Sequence, residues 1–94
     1  MLLAFDTGNT NVMMGVFEGD RLLANWRFAT DPGRTADEYA VLCQNFFETR
    51  KLRFEDVDQI IVSSVVPDLT RTLVRMCERY IGAVSYTHLT LPTT

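Results

Sequence analysis

The first 28 residues contain three apolar segments of strand length, separated by two short polar turns. Residues 2–7 and 12–17 are rich in Leu, Val, Met and Phe, and residues 21–28 alternate between apolar and polar side chains, with Leu23 as the single exception. Strands in succession with a glycine-containing turn predict an antiparallel β-meander. The buried face of the third strand is expected to consist of Leu22, Ala24, Trp26 and Phe28.

A helix, a strand and a second helix are predicted after the meander. Thr35-Ala36-Asp37-Glu38 matches a capping box, which predicts a helix over residues 35–50. Residues 59–63 are a short apolar run typical of a buried central strand, and Pro67 suits the first position of a helix over residues 67–81. The expected buried positions are Ala36, Tyr39, Ala40, Cys43, Phe46 and Phe47 in the first helix, and Leu69, Leu73, Cys77, Tyr80 and Ile81 in the second.

The predicted order of elements is therefore β-β-β-α-β-α, which indicates an α/β layered domain with a mixed sheet. A strand reached through a helix usually lies parallel to its neighbour, whereas the strands of a meander are antiparallel. With 94 residues the chain forms one domain at most.

The net charge and the length of the apolar stretches indicate which kinds of binding partner are not expected. The net charge of −3 gives no electrostatic reason to expect nucleic acid or an anionic membrane as partner, and no apolar stretch is long enough to span a bilayer. The first residues lead directly into a strand without a basic segment, so a secretion signal is not expected. Cys43 and Cys77 each lie in a helical apolar pattern, which favours reduced core thiols. These features predict a cytoplasmic protein.

The polar segment Asp6-Thr7-Gly8-Asn9-Thr10-Asn11 joins the first two strands, and two interpretations of it remain open. It has the residue types of an ordinary hairpin turn. It also has the makings of an anion site, because Gly8 permits close approach of a ligand and the Thr and Asn side chains add to the backbone N–H groups. Asp6 beside a bound phosphate would hold Mg²⁺, typically through water.

Two longer stretches resemble a known family. The segment LLAFDTGNTNVMMGVFEGDRLLANWRFATDPGRTADEYAVL is similar to the N-terminus of type III pantothenate kinases, the Bvg accessory factor family, and IIVSSVVPDLTRTL resembles the next signature of that family. The resemblance covers residues 1 to about 83. It implies a truncated half of the ribonuclease H-like fold found in the actin, hexokinase and Hsp70 superfamily.

The resemblance also implies a function: ATP-dependent phosphorylation of pantothenate, the first step of coenzyme A biosynthesis. The cofactors implied are Mg²⁺ or a similar divalent cation, held at Asp6 through water, and a monovalent cation such as K⁺ or NH₄⁺. Family members are typically homodimers. The residues implied to bind ATP are Asp6, Thr7, Gly8, Asn9, Thr10, Asn11, Val12 and Met13.

Parts of the family pattern are missing from this sequence. The glycine-x-aspartate-arginine segment that carries the catalytic aspartate is absent, so no catalytic residue is assigned, and the monovalent-cation aspartate is absent too. Residues 1–84 are expected to be an incomplete domain, and residues 85–94, SYTHLTLPTT, a non-native tail that packs poorly. His88 lies in that tail without partner residues, and we expect no role for it. The chain alone is expected to be inactive.

Some polar residues have a structural explanation. Ser63 and Ser64 end the buried strand, where ligands usually gather, but Ser64 is expected instead to cap the helix that Pro67 opens. Capping and solvation account for Arg34, Asp37 and Glu38, which we leave out of the site. The alternative function is a non-catalytic ribonuclease H-like module that serves in binding or assembly.

Overall fold

The structure is a computed structural model that describes residues 1–82 and the backbone of residues 85–90. The meander consists of strands β1 (Leu2–Thr7), β2 (Asn11–Glu18) and β3 (Arg21–Ala29). Helix α1 (Ala36–Thr49), strand β4 (Gln59–Ser64), helix α2 (Pro67–Tyr80) and strand β5 (Ser85–Thr90) follow, with a short 3₁₀ turn, Phe54–Asp56, before β4. The six predicted elements are confirmed, each to within one residue at either end.

The strands form one mixed sheet in the order β3-β2-β1-β4-β5. β1 pairs antiparallel with β2, and β2 with β3, as a meander requires. β1 pairs parallel with β4, and β4 with β5, because each of these later strands is reached through a helix. The predicted α/β class with a mixed sheet is confirmed.

Strand β5 was not predicted from the sequence. The backbone of Ser85–Thr90 pairs with β4 along its whole length, from Gln59 opposite Ser85 to Ser64 opposite Thr90. The expectation that residues 85–94 pack poorly or are disordered is therefore wrong for the backbone of residues 85–90. Residues 83, 84 and 91–94 lie outside the described residues. The division into a domain of residues 1–84 and a foreign tail stays a prediction.

Both helices pack on one face of the sheet and close the core there. The buried sheet residues alternate along the strands, as a half-covered sheet requires, and include Leu3, Phe5, Val12, Val16, Ile60 and Val62. The helices contribute Tyr39, Cys43, Phe47, Leu73, Met76 and Cys77. The expected stripes are largely confirmed, but Phe46 is only partly buried, where it stacks on Trp26, and Met76 takes the buried place expected for Tyr80, which is 44% exposed.

The third strand differs from its predicted pattern at its start. The register between β2 and β3 shifts between Val16 and Phe17, so that Phe17 pairs with Leu22 and Leu23 is the extra residue. A bulge of this kind reverses the side-chain alternation on one side of it. As a result Leu23 packs against the core and Leu22 is 48% exposed on the opposite face, which corrects the sequence assignment.

Candidate functional site

The strand register brings four candidate residues into one row across the sheet. Asp6 of β1 lies opposite Ser63 of β4 on one side and Met13 of β2 on the other, and Met13 lies opposite Arg27 of β3. Neighbours in register point to the same face of a sheet. Asp6, Met13 and Arg27 are exposed and Ser63 is partly buried, on the face that the two helices leave open. The row thus places a carboxylate and a guanidinium on the same face near the carboxyl end of β1, two strands apart with Met13 between them.

The turn between β1 and β2 is held by hydrogen bonds to its carbonyl oxygens. The Gly8 N–H donates to the Asn11 carbonyl at 2.8 Å. From the end of β3, the Thr30 hydroxyl donates to the Gly8 carbonyl at 3.0 Å and the Thr30 N–H donates to the Thr10 carbonyl at 2.9 Å. Thr30 is a residue of the site that sequence reasoning missed, since only the pairing of β2 with β3 brings it to the turn.

Two backbone donors of this turn remain available. The N–H groups of Asn9 and Thr10 have no hydrogen-bond acceptor within the described part of the chain, and both residues are exposed. The Asn11 side-chain amide donates to the Thr10 hydroxyl at 3.1 Å. Adjacent N–H groups of this kind, with hydroxyl and amide side chains beside them, are typical of a concave anion site.

Not all of the predicted ligand-binding residues present a side chain to this turn. Thr7 is 2% exposed and its hydroxyl donates to the Ser63 carbonyl at 3.4 Å, and Val12 is fully buried in the core. The expectation that the Thr7 hydroxyl assists an anion site is therefore wrong. Only the backbone of these two residues can face a ligand.

Gly8 is not required by the turn itself. A Cβ on Gly8 would meet its nearest atom, the Asn11 carbonyl oxygen, at 3.5 Å, which is an ordinary contact, and Gly8 does not have a positive φ. Gly8 also lines an open cavity in front of the turn, so a side chain there would border it. The remaining reason for glycine at this position is access to the backbone.

An open cavity of about 310 Å³ lies in front of the turn. Its walls are Asp6, Gly8, Thr10, Asn11, Met13 and Arg27. The Arg27 guanidinium lies against the sulfur of Met13, with Nη2 and Sδ 3.6 Å apart. Arg27 supplies the positive charge of the cavity, and sequence reasoning missed it because only the register of β2 and β3 places it there.

A second open cavity, also about 310 Å³, continues along the same face toward the other end of β1. It shares Asp6 and Met13 with the first, and Ser63 also lines it, but its other walls are largely apolar. Of these two cavities, only the one at the turn is lined by a positively charged residue, Arg27.

Ser64, at the end of β4, has a structural role. The Ser64 hydroxyl accepts from the Val66 N–H at 2.9 Å and donates to the Val66 carbonyl at 3.0 Å. Val66 is the N-cap of α2, and no side chain caps that helix. Ser64 thus fixes the residue that begins the helix and does not cap its first turn, which corrects the sequence assignment.

Two of the three charged residues left out of the site are explained by the helices. Glu38 and Thr35 form the predicted capping box, with 2.8 Å from the Thr35 N–H to the Glu38 carboxylate. The Asp37 carboxylate accepts from the Tyr80 hydroxyl at 2.5 Å and from the Arg79 guanidinium at 2.9 Å. These two bonds lower the pKa of Asp37, and the bond to Asp37 raises the pKa of Tyr80.

The donor set at the turn fits a metal ion only in company with a ligand. In the part of the chain that the structure describes, no three His, Cys, Asp or Glu side chains group to hold a metal. Asp6 stands as a single exposed carboxylate. Mg²⁺ commonly binds one protein carboxylate together with waters and the oxygens of a substrate phosphate, so Asp6 fits an ion that arrives with phosphate.

Comparison with known proteins identifies relatives over most of the chain. The sequence model of the type III pantothenate kinases matches residues 2–92. The type III pantothenate kinase of Syntrophotalea carbinolica is 43% identical over 86 residues, which are 92% of this chain and 34% of that protein. The corresponding protein of Brevibacillus brevis is 48% identical over 80 residues, 85% of this chain and 31% of that protein. The chain therefore spans about a third of the length of these relatives.

Solved structures of the same fold share little sequence with the chain. A ROK hexokinase from Thermus thermophilus has a TM-score of 0.64 at 19% identity, over 93% of this chain and 33% of that one. A Bacteroides thetaiotaomicron protein with an actin-like ATPase fold has a TM-score of 0.63 at 13% identity, over 92% of this chain and 32% of that one. The fold is thus that of the actin-like ATPases, consistent with a ribonuclease H-like half. Among the described residues, no helix is long and apolar enough to cross a membrane.

Proposed function

The chain belongs to the type III pantothenate kinase family, and on that premise we propose that it forms the phosphate-binding part of an enzyme that transfers a phosphoryl group from ATP to pantothenate. The reaction is the first step of coenzyme A biosynthesis.

One observation of the structure carries this proposal. Thr10, whose N–H has no acceptor among the described residues, lines the same cavity as Asp6 and Arg27, and Asn9, whose N–H is unpaired in the same sense, precedes it in the turn. Phosphoryl transfer depends on positioning the phosphates and offsetting their negative charge. Backbone donors, a cation and a metal-binding carboxylate within one cavity supply both.

Each residue of the turn has its own part in the proposal. The Asn9 and Thr10 N–H groups would donate to phosphate oxygens, assisted by the Asn11 side-chain amide and the Thr10 hydroxyl of the same turn. Gly8 lets the phosphates approach the backbone, and Met13 forms the wall of the cavity. Thr7 and Val12 contribute through their backbone only, since their side chains are buried. Arg27 attracts the phosphates from the side of β3.

The proposed cofactor is Mg²⁺ or a similar divalent cation, held by Asp6 through water. When bound, such an ion offsets the negative charge of the β- and γ-phosphates. A monovalent cation such as K⁺ or NH₄⁺ is proposed for the protein extended to the length of its relatives, because family members need one. No residue of this chain is assigned to it.

The proposed setting is a homodimer in the cytoplasm, with ATP and pantothenate as its small-molecule partners. Neither nucleic acid nor an anionic membrane is proposed as a partner, because the net charge of −3 gives no electrostatic attraction to either. The proposed reaction uses one positively charged side chain of this chain, Arg27 at the cavity, and requires no basic patch.

The 94-residue chain alone is proposed to be inactive. Its sequence has no glycine-x-aspartate-arginine segment, which in the family supplies the catalytic base, and none of its described residues stands at the cavity as a second carboxylate beside Asp6. Without a base near the acceptor hydroxyl, bound ATP has no productive reaction with pantothenate.

An assay of ATP-dependent phosphopantothenate formation tests the function. The 94-residue chain and a version extended to the length of its relatives are compared at the same concentrations of ATP, Mg²⁺ and pantothenate. We expect product from the extended protein alone. Failure of the extended, folded protein to phosphorylate pantothenate would overturn the proposed reaction, and turnover by the 94-residue chain would overturn its proposed inactivity.

A further inference from the structure

Arg34 is the one charged residue of the α1 entry loop that capping and solvation do not explain. Its Nη1 atom is buried, and it has no hydrogen-bond acceptor among the residues that the structure describes. The assignment of this side chain to solvation is therefore wrong for that nitrogen. A buried N–H of a charged group without a partner is costly, and such groups in folded proteins are nearly always paired.

The position of the guanidinium is set by an aromatic ring. The Arg34 Cζ lies 5.2 Å from the centroid of the Tyr39 ring, within the range of a cation–π contact. Tyr39 is itself fixed, since it is fully buried and its hydroxyl donates to the Asp31 carbonyl at 3.0 Å. The contact holds the guanidinium in place but accepts no hydrogen bond in its plane, so the Nη1 donor remains unsatisfied.

A cavity of about 150 Å³ adjoins this side chain. It lies between the loop of residues 30–34 and the beginning of α2, and it is lined by Arg34, Tyr39, Thr30, Val66, Leu69 and Thr72. A volume of this size exceeds that needed for a single water and admits a small ligand group. Thr30, which lines this cavity, also donates a hydrogen bond to the Gly8 carbonyl of the β1–β2 turn.

The charges around the cavity oppose a doubly charged anion more than a singly charged one. Asp31 and Asp68 also line it, but Asp68 pairs with Arg71, and the Asp31 carboxylate accepts from the Gly33 N–H at 3.0 Å. Neither carboxylate bonds to Arg34. Their presence opposes a doubly charged phosphate more than a carboxylate, and a planar carboxylate matches the planar fork of a guanidinium.

We propose that this cavity is a binding site for a small carboxylate, which the Arg34 guanidinium holds. The site lies outside the proposed phosphate-binding turn, and its existence does not depend on the kinase activity.

Titration of the ¹⁵N-labelled 94-residue chain with sodium acetate, against sodium chloride at equal ionic strength, tests the site. We expect the backbone amide signals of Leu69 and Asp31 to shift with acetate in a saturable way and not with chloride. Arg34→Gln removes the charge at similar length and is expected to weaken acetate binding about tenfold or more. Arg75→Gln, which changes an exposed arginine of α2, is the matched control and should bind as the unaltered chain does.

Several results would overturn the proposal. These are the absence of a saturable shift with acetate, equal acetate affinity in Arg34→Gln and the unaltered chain, or binding of inorganic phosphate in preference to acetate. If circular dichroism shows that Arg34→Gln is unfolded, Arg34→Lys carries the test, because lysine keeps the charge and lacks the fork. Its acetate affinity is then expected to fall, and an unchanged affinity overturns the role of Arg34.

Discussion

The Thr30 hydroxyl donates a hydrogen bond to the Gly8 carbonyl oxygen at 3.0 Å, across 22 residues of sequence. The Thr30 backbone N–H also donates to the Thr10 carbonyl at 2.9 Å. One residue at the end of β3 therefore holds two carbonyl oxygens of the β1–β2 turn. The N–H groups of Asn9 and Thr10, in the same turn, have no acceptor among the described residues.

Replacement of the Thr30 hydroxyl is expected to loosen the turn. Thr30→Val keeps the shape of the side chain but leaves the Gly8 carbonyl without its partner, and should lower the free energy of unfolding by about 1 kcal/mol. Thr30→Ser keeps the hydroxyl and should lie closer to the unaltered chain. Urea denaturation of the three proteins measures the difference. Equal stability of Thr30→Val and the unaltered chain would show that the bond contributes nothing.

The contact of Asp37 with Tyr80 and Arg79 predicts a dependence of stability on pH. The folded chain lowers the pKa of Asp37 below its ordinary value of 3.8, so this contact stabilises the fold above that pH and the effect is lost as the pH falls. The pKa of Tyr80 is raised above 10.0, so the stabilisation that its hydroxyl contributes is present below pH 10 and is lost as the pH rises further.

Melting curves across pH test this contact through Asp37→Asn. The variant should melt below the unaltered chain at neutral pH, and the gap should narrow as the pH falls below 3.8. Asp20→Asn, in the exposed turn between β2 and β3, is the control and should show no such convergence. A gap that stays constant from neutral to acid pH would argue that the carboxylate charge of Asp37 is not what stabilises the contact.

The two thiols are expected to be unreactive while the chain is folded. Burial raises the pKa of both Cys43 and Cys77 to about 12, so neither is a thiolate at pH 8. Labelling with iodoacetamide followed by mass spectrometry should show no modified cysteine in native buffer and two in urea. Rapid labelling of either thiol under native conditions would contradict its placement in the core between the helices and the sheet.

Strand β5 gives a prediction about truncation. Deletion of residues 83–94 removes the backbone partner of β4 and turns the central strand that carries Ile60 and Val62 into an edge strand. We expect the free energy of unfolding to fall by more than about 2 kcal/mol, the scale of burying one large apolar side chain. Unchanged stability after the deletion would favour the interpretation of residues 85–94 as a non-native tail.

Local signals in the sequence were enough for most of the fold. These signals act over a few residues: the capping box at Thr35 and Glu38, Pro67 at the first position of α2, and the alternation along the strands. Each element that they predicted is present. The face of Leu22 and Leu23 could not be predicted, because the bulge depends on how β2 and β3 align. β5 was missed because its residues have no clear helical or alternating period, and only the pairing with β4 shows it to be a strand.

The candidate site was predictable only in part, for the same reason. The polar run from Asp6 to Asn11 was visible as a possible anion site. Arg27 and Thr30 belong to the site through strand pairing, and the buried Thr7 hydroxyl is lost from it through the alternation of β1. Arg34 is explained only by its packing on Tyr39. Each of these outcomes depends on contacts between elements, and a local sequence pattern does not predict such contacts.

The role of Asp6 is the central claim of this account. Steady-state kinetics of the chain extended to the length of its relatives, compared with its Asp6→Asn variant at saturating Mg²⁺, test it most directly. Asp6→Asn keeps the size of the side chain and removes its charge, and Asp20→Asn in the exposed β2–β3 turn is the matched control. We predict that kcat falls by about two orders of magnitude, or ~3 kcal/mol of transition-state stabilisation, in Asp6→Asn alone, with melting temperatures unchanged. A kcat near that of the unaltered protein would contradict the account and leave the β1–β2 turn as an ordinary hairpin.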